Sequence, residues 1–164
     1  MLVGSSKYGQ ANQTPDMLDL DTLEWSQASP HPSNENGDLQ FSGALIYNKP
    51  YFYFIGGGTE VKSNDVSSSV KEIHRYSEFN DSWTTVGKLK TPRQNHRVII
   101  SGYDIMVYGG HSLKKVNDDF EWDYVLQAER CSIVDDTVTC TEQEPHVDHL
   151  DVPALFLVDS DHCL

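Results

Sequence analysis

Short apolar segments alternate with turn residues along most of the chain. Five of them are rich in Val, Ile, Tyr and Phe and are bounded by Gly, Asn, Asp or Pro, namely 44–47, 51–55, 98–100, 105–108 and 155–158. Segments of this length and composition predict β-strands. No segment keeps an apolar 3.6-residue period over three turns, and we interpret 120–131 as a further strand. The chain is therefore predicted to be all-β.

The second half of this pattern repeats the first. Phe54-Ile55-Gly56-Gly57-Gly58 is matched by Val107-Tyr108-Gly109-Gly110, so that Gly58 pairs with Gly110, 52 residues later. A repeat of this length indicates an array of similar supersecondary units. Glycines at the end of an inner strand let neighbouring backbones approach closely and adopt φ values that other residues avoid.

Aromatic residues follow the glycines at a fixed spacing. Tyr76 is followed seven residues later by Trp83, and Leu18 is followed seven residues later by Trp25. A third copy would pair Tyr124 with Cys131, where the tryptophan is lost. A buried indole removes about 200 Å² from water, which suits a contact between neighbouring sheets. We therefore assign a framework role to these positions: Gly57, Gly58, Gly109, Gly110, Trp25, Tyr76 and Trp83.

This series of features resembles the kelch repeat. The stretch from Thr91 to Ile100 is also similar to that family's lead into the first strand of a blade, with Arg93 and His96 three apart. The resemblance implies an incomplete kelch-type β-propeller of about three blades, each a four-stranded antiparallel sheet. The expected division is 1–40 for the end of blade one, 41–90 for blade two, 91–145 for blade three and 146–164 for the start of blade four.

We expect such a chain to be a fragment. A repeat array that is cut inside its units leaves unpaired sheet edges and uncovered apolar faces. The isolated 164-residue chain is accordingly expected to be marginally stable or prone to aggregation.

Cys131 and Cys140 flank a segment that is predicted to be a hairpin turning at Asp135-Asp136. A two-residue loop there places the two cysteines opposite each other in a non-hydrogen-bonded pair, close enough for a disulfide. A different turn register would misalign them. The disulfide would indicate an oxidising, extracellular compartment, and the sequons Asn12-Gln13-Thr14 and Asn80-Asp81-Ser82 point the same way. The alternative is a cytoplasmic protein with two opposed thiols.

Composition excludes several classes of function. The net charge of −13 disfavours nucleic acid, and no apolar window approaches the length of a membrane span. The histidines and aspartates of 146–151 and 159–162 are interpreted as a solvated surface, so no metal site is expected. No catalytic motif or cofactor-binding loop is found, which predicts no catalytic residues and no cofactor.

The resemblance implies that the protein is a non-catalytic interaction module, part of a larger extracellular kelch-repeat protein, that binds a protein partner through its blade loops. Those loops would be 59–69, 111–119 and the connection 88–93. The candidate contacts in them are Arg93, Glu60, Lys62 and His111. Arg93 has an equally good alternative, as a blade-lead residue bonded to backbone carbonyls. The second class is an intracellular substrate adaptor of a ubiquitin ligase, and the third is a copper oxidase of the same architecture, for which the cysteines are poorly placed.

Overall fold

The computed structural model describes residues 2–3, 6–7, 10–11, 14–32, 39–60, 68–116 and 119–144. These residues form β-strands and turns without a helix, and so none of them lies in a helix that is long and apolar enough to cross a membrane. The strands are β1 (Leu2–Val3), β2 (Ser6–Lys7), β3 (Gln10–Ala11), β4 (Asp16–Leu18), β5 (Trp25–Gln27), β6 (Leu39–Phe41), β7 (Ala44–Asn48), β8 (Tyr51–Glu60), β9 (Ser68–Ser77), β10 (Ser82–Lys88), β11 (Arg97–Ser101), β12 (Asp104–Tyr108), β13 (His111–Val116), β14 (Asp119–Tyr124), β15 (Ala128–Val134) and β16 (Thr137–Gln143). The prediction of an all-β chain is confirmed.

Two four-stranded antiparallel arrays account for most of the described strands. Unit A consists of β7, β8, β9 and β10 in spatial order, and unit B consists of β11, β12, β15 and β16. Unit A lies within the segment 41–90, and unit B lies within 91–145. Strand β6 pairs antiparallel with the C-terminal end of β8, and β13 pairs with β14 in a separate hairpin between β12 and β15.

A short parallel bridge joins the two units. Gly87 and Lys88 of β10 lie opposite Val138 and Thr139 of β16, so the two arrays form one continuous sheet in the structure. Gly87 is required at this bridge because a Cβ added there would clash with the carbonyl oxygen of Val138. The sequence-based picture of separate sheets did not include this connection.

The main core lies between units A and B. Each unit contributes one apolar face, and the central side chains are fully buried: Ile55, Ile73, Ile105, Val107 and Cys131. A second cluster lies on the opposite face of unit A, where Phe52 and Tyr76 pack against Ala28 and Met17. Unit A is therefore packed on both faces, against unit B on one side and against the segment that follows β5 on the other.

The predicted strand 120–131 is divided in the structure. Strand β14 ends at Tyr124 and β15 begins at Ala128, with Val125–Gln127 between them. Val125 ends the hairpin, because its N–H donates to the carbonyl of Gly110 at 3.0 Å. The predicted start of a fourth blade at 146–164 lies outside the described residues.

Candidate functional site

A glycine pair lies within β8 of unit A and another follows β12 of unit B, but the sequence alignment of those pairs was wrong by one residue. Gly56 and Gly57 have φ values of 56° and 112°, and Gly109 and Gly110 have 63° and 83°. Gly58 lies instead in the strand conformation opposite Ser69. The register shifts between Ile55 and Gly57, where β9 carries the extra residue. The shared positive φ values therefore make Gly56-Gly57 the structural counterpart of Gly109-Gly110.

The connection between the two units lies between these glycine pairs. The N–H of Gly57 donates to the carbonyl of Arg93 at 2.8 Å, and Gln94 exchanges two main-chain hydrogen bonds with His111. A Cβ on Gly110 would lie 2.5 Å from the carbonyl oxygen of Gln94. The glycines are therefore needed because another backbone segment occupies the space of a side chain.

Arg93 is fully buried and binds inside the molecule. Its Nη2 donates to Oε1 of Glu129 at 2.7 Å, and its Nη1 donates to the carbonyls of Gly109 and Gln127 at 3.2 and 2.9 Å. Both side chains of the ion pair have no exposed surface. Burial lowers the pKa of Arg93, and the charge of Glu129 opposes this effect. The backbone-bonded alternative for Arg93 is thus the one observed, and its guanidinium is not available to a partner.

Glu129 also binds the backbone of the segment that connects the two units. Its two carboxylate oxygens accept hydrogen bonds from the backbone N–H groups of Lys90 and Thr91 at 2.7 and 3.1 Å. One carboxylate therefore holds both the guanidinium and the backbone of the lead-in segment. We refer to this contact between units A and B as the second junction.

We refer to the contact between unit A and the segment after β5 as the first junction. Its backbone arrangement is the same as that of the second junction, but its side chains differ. Ser29-Pro30-His31 corresponds to Thr91-Pro92-Arg93, and His74 occupies the strand position of Glu129. The rings of His31 and His74 lie 5.0 Å apart in an edge-to-face arrangement. Burial lowers the pKa of His31 to about 3 and that of His74 to about 4. Two neutral rings therefore take the place of the ion pair.

Tyr76 and Trp83 complete the first junction. Their ring centroids lie 5.1 Å apart across β9 and β10, and the Trp83 indole N–H donates to the carbonyl of Ser29 at 3.0 Å. The Tyr76 hydroxyl donates to Asp81 at 2.7 Å. Trp25 differs from Trp83, since it is 60% exposed on β5.

The disulfide of unit B stands where unit A has its aromatic pair. Cys131 lies opposite Ile105 and Cys140, as Tyr76 lies opposite Phe52 and Trp83. The predicted Cys131–Cys140 bond is present, with the two Cα atoms 3.9 Å apart, and the two-residue turn at Asp135-Asp136 is as expected. The sequence match of Tyr124 with Cys131 was wrong, because Tyr124 belongs to β14 and Cys131 takes the position of Tyr76 rather than of a tryptophan.

A third buried histidine lies in the connection itself. His96 is 1% exposed, and neither of its ring nitrogens has a hydrogen-bond partner of good geometry. Burial and the positive charge of Arg93 lower the pKa of His96 to about 3, while a weaker interaction with the Ile55 carbonyl raises it. Its ring is packed against Gly56, where an added Cβ would lie 3.0 Å from His96 Cε1.

One group of described side chains brings metal-ligating atoms within 4.8 Å of each other, namely Glu129, Cys131 and Cys140. Both sulfur atoms are joined in the disulfide, and the carboxylate accepts hydrogen bonds from Arg93 and two backbone N–H groups. The ligand atoms of this group are engaged in structural bonds.

The hairpin of β13 and β14, which pairs with Gln94 of the connection, carries exposed aromatic side chains. Trp122 and Tyr124 are 58% and 57% exposed, and the ring of His111 meets the Trp122 ring edge-on at 4.5 Å. Of the predicted contact residues, His111 thus lies half-buried beside an exposed tryptophan. Glu60 is the last residue of β8, with only its backbone described, and Lys62 lies outside the described residues.

Sequence reasoning missed four residues that the structure brings into these arrangements: His31, His74, Glu129 and Trp122. The first could have been found, because the dipeptides Ser29-Pro30 and Thr91-Pro92 align His31 with Arg93. The other three carry no local signal, since their roles depend on strands that are distant in sequence.

No family model matches the chain. The chain is 26% identical over 135 residues to the Ras guanine nucleotide exchange factor F of Dictyostelium discoideum, which covers 77% of this chain and 11% of that protein. Among solved structures it is similar to the structure of YjhT, with a TM-score of 0.63 and 12% identity over 88% of this chain and 52% of that one. The chain therefore spans about half of the solved structure and a small part of the curated relative.

Proposed function

We propose that the chain is a non-catalytic protein-interaction module built as part of a kelch-type β-propeller, with units A and B as its second and third blades. Two features support the blade assignment. The junctions repeat the same backbone plan, and the fold is similar to about half of a longer solved structure. Its partner is a protein, and the contact surface is the end of the molecule that carries the β13–β14 hairpin.

The observation on which this proposal depends is the exposure of Trp122 and Tyr124 on an inserted hairpin. Large aromatic side chains at more than half exposure are unfavourable in water and are enriched at protein interfaces. The hairpin is held firmly by the rest of the fold, since His111 pairs with Gln94 and Leu113 is buried. A rigid element that presents exposed aromatics is suited to binding a partner at low entropic cost.

An extracellular location is part of the proposal, and the Cys131–Cys140 disulfide supports it. Asn80, in the sequon at the β9–β10 turn, is exposed and accessible to glycosylation. The second candidate is an intracellular adaptor, which is favoured by the likeness to part of a protein named as an exchange factor for Ras. Intact mass of native material before and after reduction separates the two, because free thiols at both cysteines would contradict the extracellular role.

The test of the binding role is site-specific photocrosslinking of the full-length protein in its own cells. A benzophenone amino acid replaces Trp122 in one variant and Phe79 in the other. Phe79 is a matched control, since it is 96% exposed but lies in the β9–β10 turn at the opposite end of unit A. We expect discrete protein adducts from position 122 and none from 79. Adducts from 79 alone would contradict the proposed surface.

A further inference from the structure

Strand β14 is paired on one side within the described part of the chain. Its neighbour there is β13, and β13 uses its own outer side to anchor the hairpin. His111 exchanges main-chain hydrogen bonds with Gln94 at 2.9 and 3.0 Å, and the N–H of Leu113 donates to Oγ of Ser69 at 2.8 Å. The hairpin is thus attached through β13, and β14 forms the outer edge.

The direction of the backbone groups on β14 follows from the register. The N–H of Val125 donates to the carbonyl of Gly110, which identifies that pair as hydrogen-bonded. Hydrogen-bonded and non-hydrogen-bonded pairs alternate in an antiparallel ladder, so the pair of Leu113 with Trp122 is non-hydrogen-bonded. The N–H and C=O of Trp122 therefore point away from β13, toward the outer edge.

The side chains of β14 differ between its two faces. Trp122 and Tyr124 lie on one face, while Glu121 and Asp123 lie on the other with side chains 53% and 65% exposed. Lys114 lies between the two carboxylates at 3.3 and 3.4 Å and neutralises part of their charge. One face of the edge is aromatic and the other is net negative.

We propose that β14 binds its partner by strand addition, and that the partner segment is extended and alternates apolar with basic residues. This inference rests on the proposed function. A segment paired with β14 would form hydrogen bonds with the outward N–H and C=O of Trp122. Its apolar side chains would lie against Trp122 and Tyr124, and its Lys or Arg side chains would lie against Glu121 and Asp123.

Charge decides between this partner and a second copy of the chain. Antiparallel pairing of β14 with another β14 about Trp122 would place Glu121 of one copy opposite Asp123 of the other, and like charges in that position are destabilising. The whole chain carries a net charge of −13, which further opposes self-association and favours a basic segment. The edge is therefore matched to a different, positively charged protein segment.

The experiment titrates the full chain with a six-residue peptide in which valine and lysine alternate, matching the six residues of β14. Two N-methylated versions are compared, one methylated on a valine and one on a lysine. A valine opposite Trp122 directs its N–H toward β14, and a lysine directs its N–H away. We expect N-methyl-valine to weaken binding about tenfold or more, as for the loss of a hydrogen bond, and N-methyl-lysine to leave it unchanged.

Protein variants test the side-chain contribution with the same peptide. Trp122→Ala and Asp123→Lys are both expected to weaken binding, and Phe79→Ala is the control that leaves it unchanged. Equal effects of the two N-methyl peptides, or no binding at all, would overturn strand addition. Glu121 and Asp123 would then serve to keep the edge of β14 from pairing with other strands. If photocrosslinking from position 122 persists in that case, the interaction module stands and only its mode of binding fails.

Discussion

At the first junction two neutral histidine rings meet edge-to-face, and at the second junction the same positions hold a fully buried ion pair. His31 and His74 contact each other with little hydrogen bonding, whereas Arg93 and Glu129 are surrounded by main-chain partners. A buried charge requires a partner and several hydrogen bonds, while a neutral ring requires packing. The comparison shows that the same backbone arrangement leaves a similar space for two side chains at each junction. Either a pair of neutral rings or an ion pair can occupy this space, provided that no buried charge remains unpaired.

The largest expected effect comes from breaking the ion pair. Glu129→Gln leaves the Arg93 guanidinium buried without its counter-charge, and we expect it to lower the free energy of unfolding by about 3–5 kcal/mol. Urea unfolding of the purified chain measures the change. The same substitution at Glu24, which is exposed in the turn between β4 and β5, is the matched control.

A double variant sharpens this comparison. Replacing both Arg93 and Glu129 by Gln removes both charges at once and keeps side-chain donors and acceptors for the main-chain groups. It should cost less than Glu129→Gln alone, because no unpaired charge stays behind. Equal losses from Glu129→Gln and Glu24→Gln would show that the second junction does not depend on its charge.

The aromatic side of the first junction gives the next effect. Trp83→Ala removes the contacts with Tyr76 and His31 and leaves the Ser29 carbonyl without its donor, for an expected loss of about 3 kcal/mol. Trp25→Ala, at an exposed indole, should change stability by about 0.5 kcal/mol or less. Thermal unfolding followed by circular dichroism distinguishes them, and a larger loss from Trp25 would contradict the assignment of the junction.

The disulfide is the counterpart of that aromatic pair in unit B. Its nine-residue separation closes a short loop, for which loop-closure entropy gives about 2–3 kcal/mol. We expect the double variant Cys131→Ala and Cys140→Ala to lose this amount in urea unfolding. Reduction of the unmodified chain is the control, since it should give a loss of similar size; a loss only in the variant would assign the effect to packing.

Local information predicted the strands and the disulfide. The two-residue turn at Asp135-Asp136 and the alternation of side chains are sufficient to bring Cys131 opposite Cys140. The glycine alignment failed because the run Gly56-Gly57-Gly58 offers two overlapping glycine pairs, and only the backbone φ values show that Gly56-Gly57 is the pair that matches. The match between the aromatic pair and the disulfide was missed because Tyr124 precedes Cys131 by seven residues, the same spacing as Tyr76 and Trp83, although Tyr124 belongs to the β13–β14 hairpin.

The buried partners could not be predicted, because they are joined only by the fold. Arg93 meets a carboxylate that is 36 residues away in sequence, and nothing near Glu129 indicates that its strand position faces a neighbouring unit. The hairpin was read as a loop followed by a strand, since Trp122 and Tyr124 alternate with Glu121 and Asp123 in a pattern typical of any half-buried strand. Their exposure is a property of the assembled molecule.

For one titrating group and one pH unit, the smallest expected effect is the pH dependence of stability, to which the first junction contributes two histidines. In the folded chain the pKa values of His31 and His74 are about 3 and 4, below the value of about 6.5 for an unfolded histidine. Between these limits the unfolded chain binds more protons, so stability falls as pH decreases from about 6.5 to 4, by about 1.4 kcal/mol per pH unit for each group. Arg93 keeps its proton throughout this range.

His31→Phe breaks this comparison most directly, because a phenyl ring fills the same space between Phe54 and Trp83 without titrating. Urea unfolding measured at several pH values from 4 to 7 gives the slope of the unfolding free energy against pH. We expect this slope to correspond to about one proton fewer in the variant. His96, at the second junction, still contributes its own proton in the variant, because burial lowers its pKa to about 3 as well. An unchanged slope would mean that His31 is protonated inside the fold, and the first junction would then need a counter-charge as the second junction does.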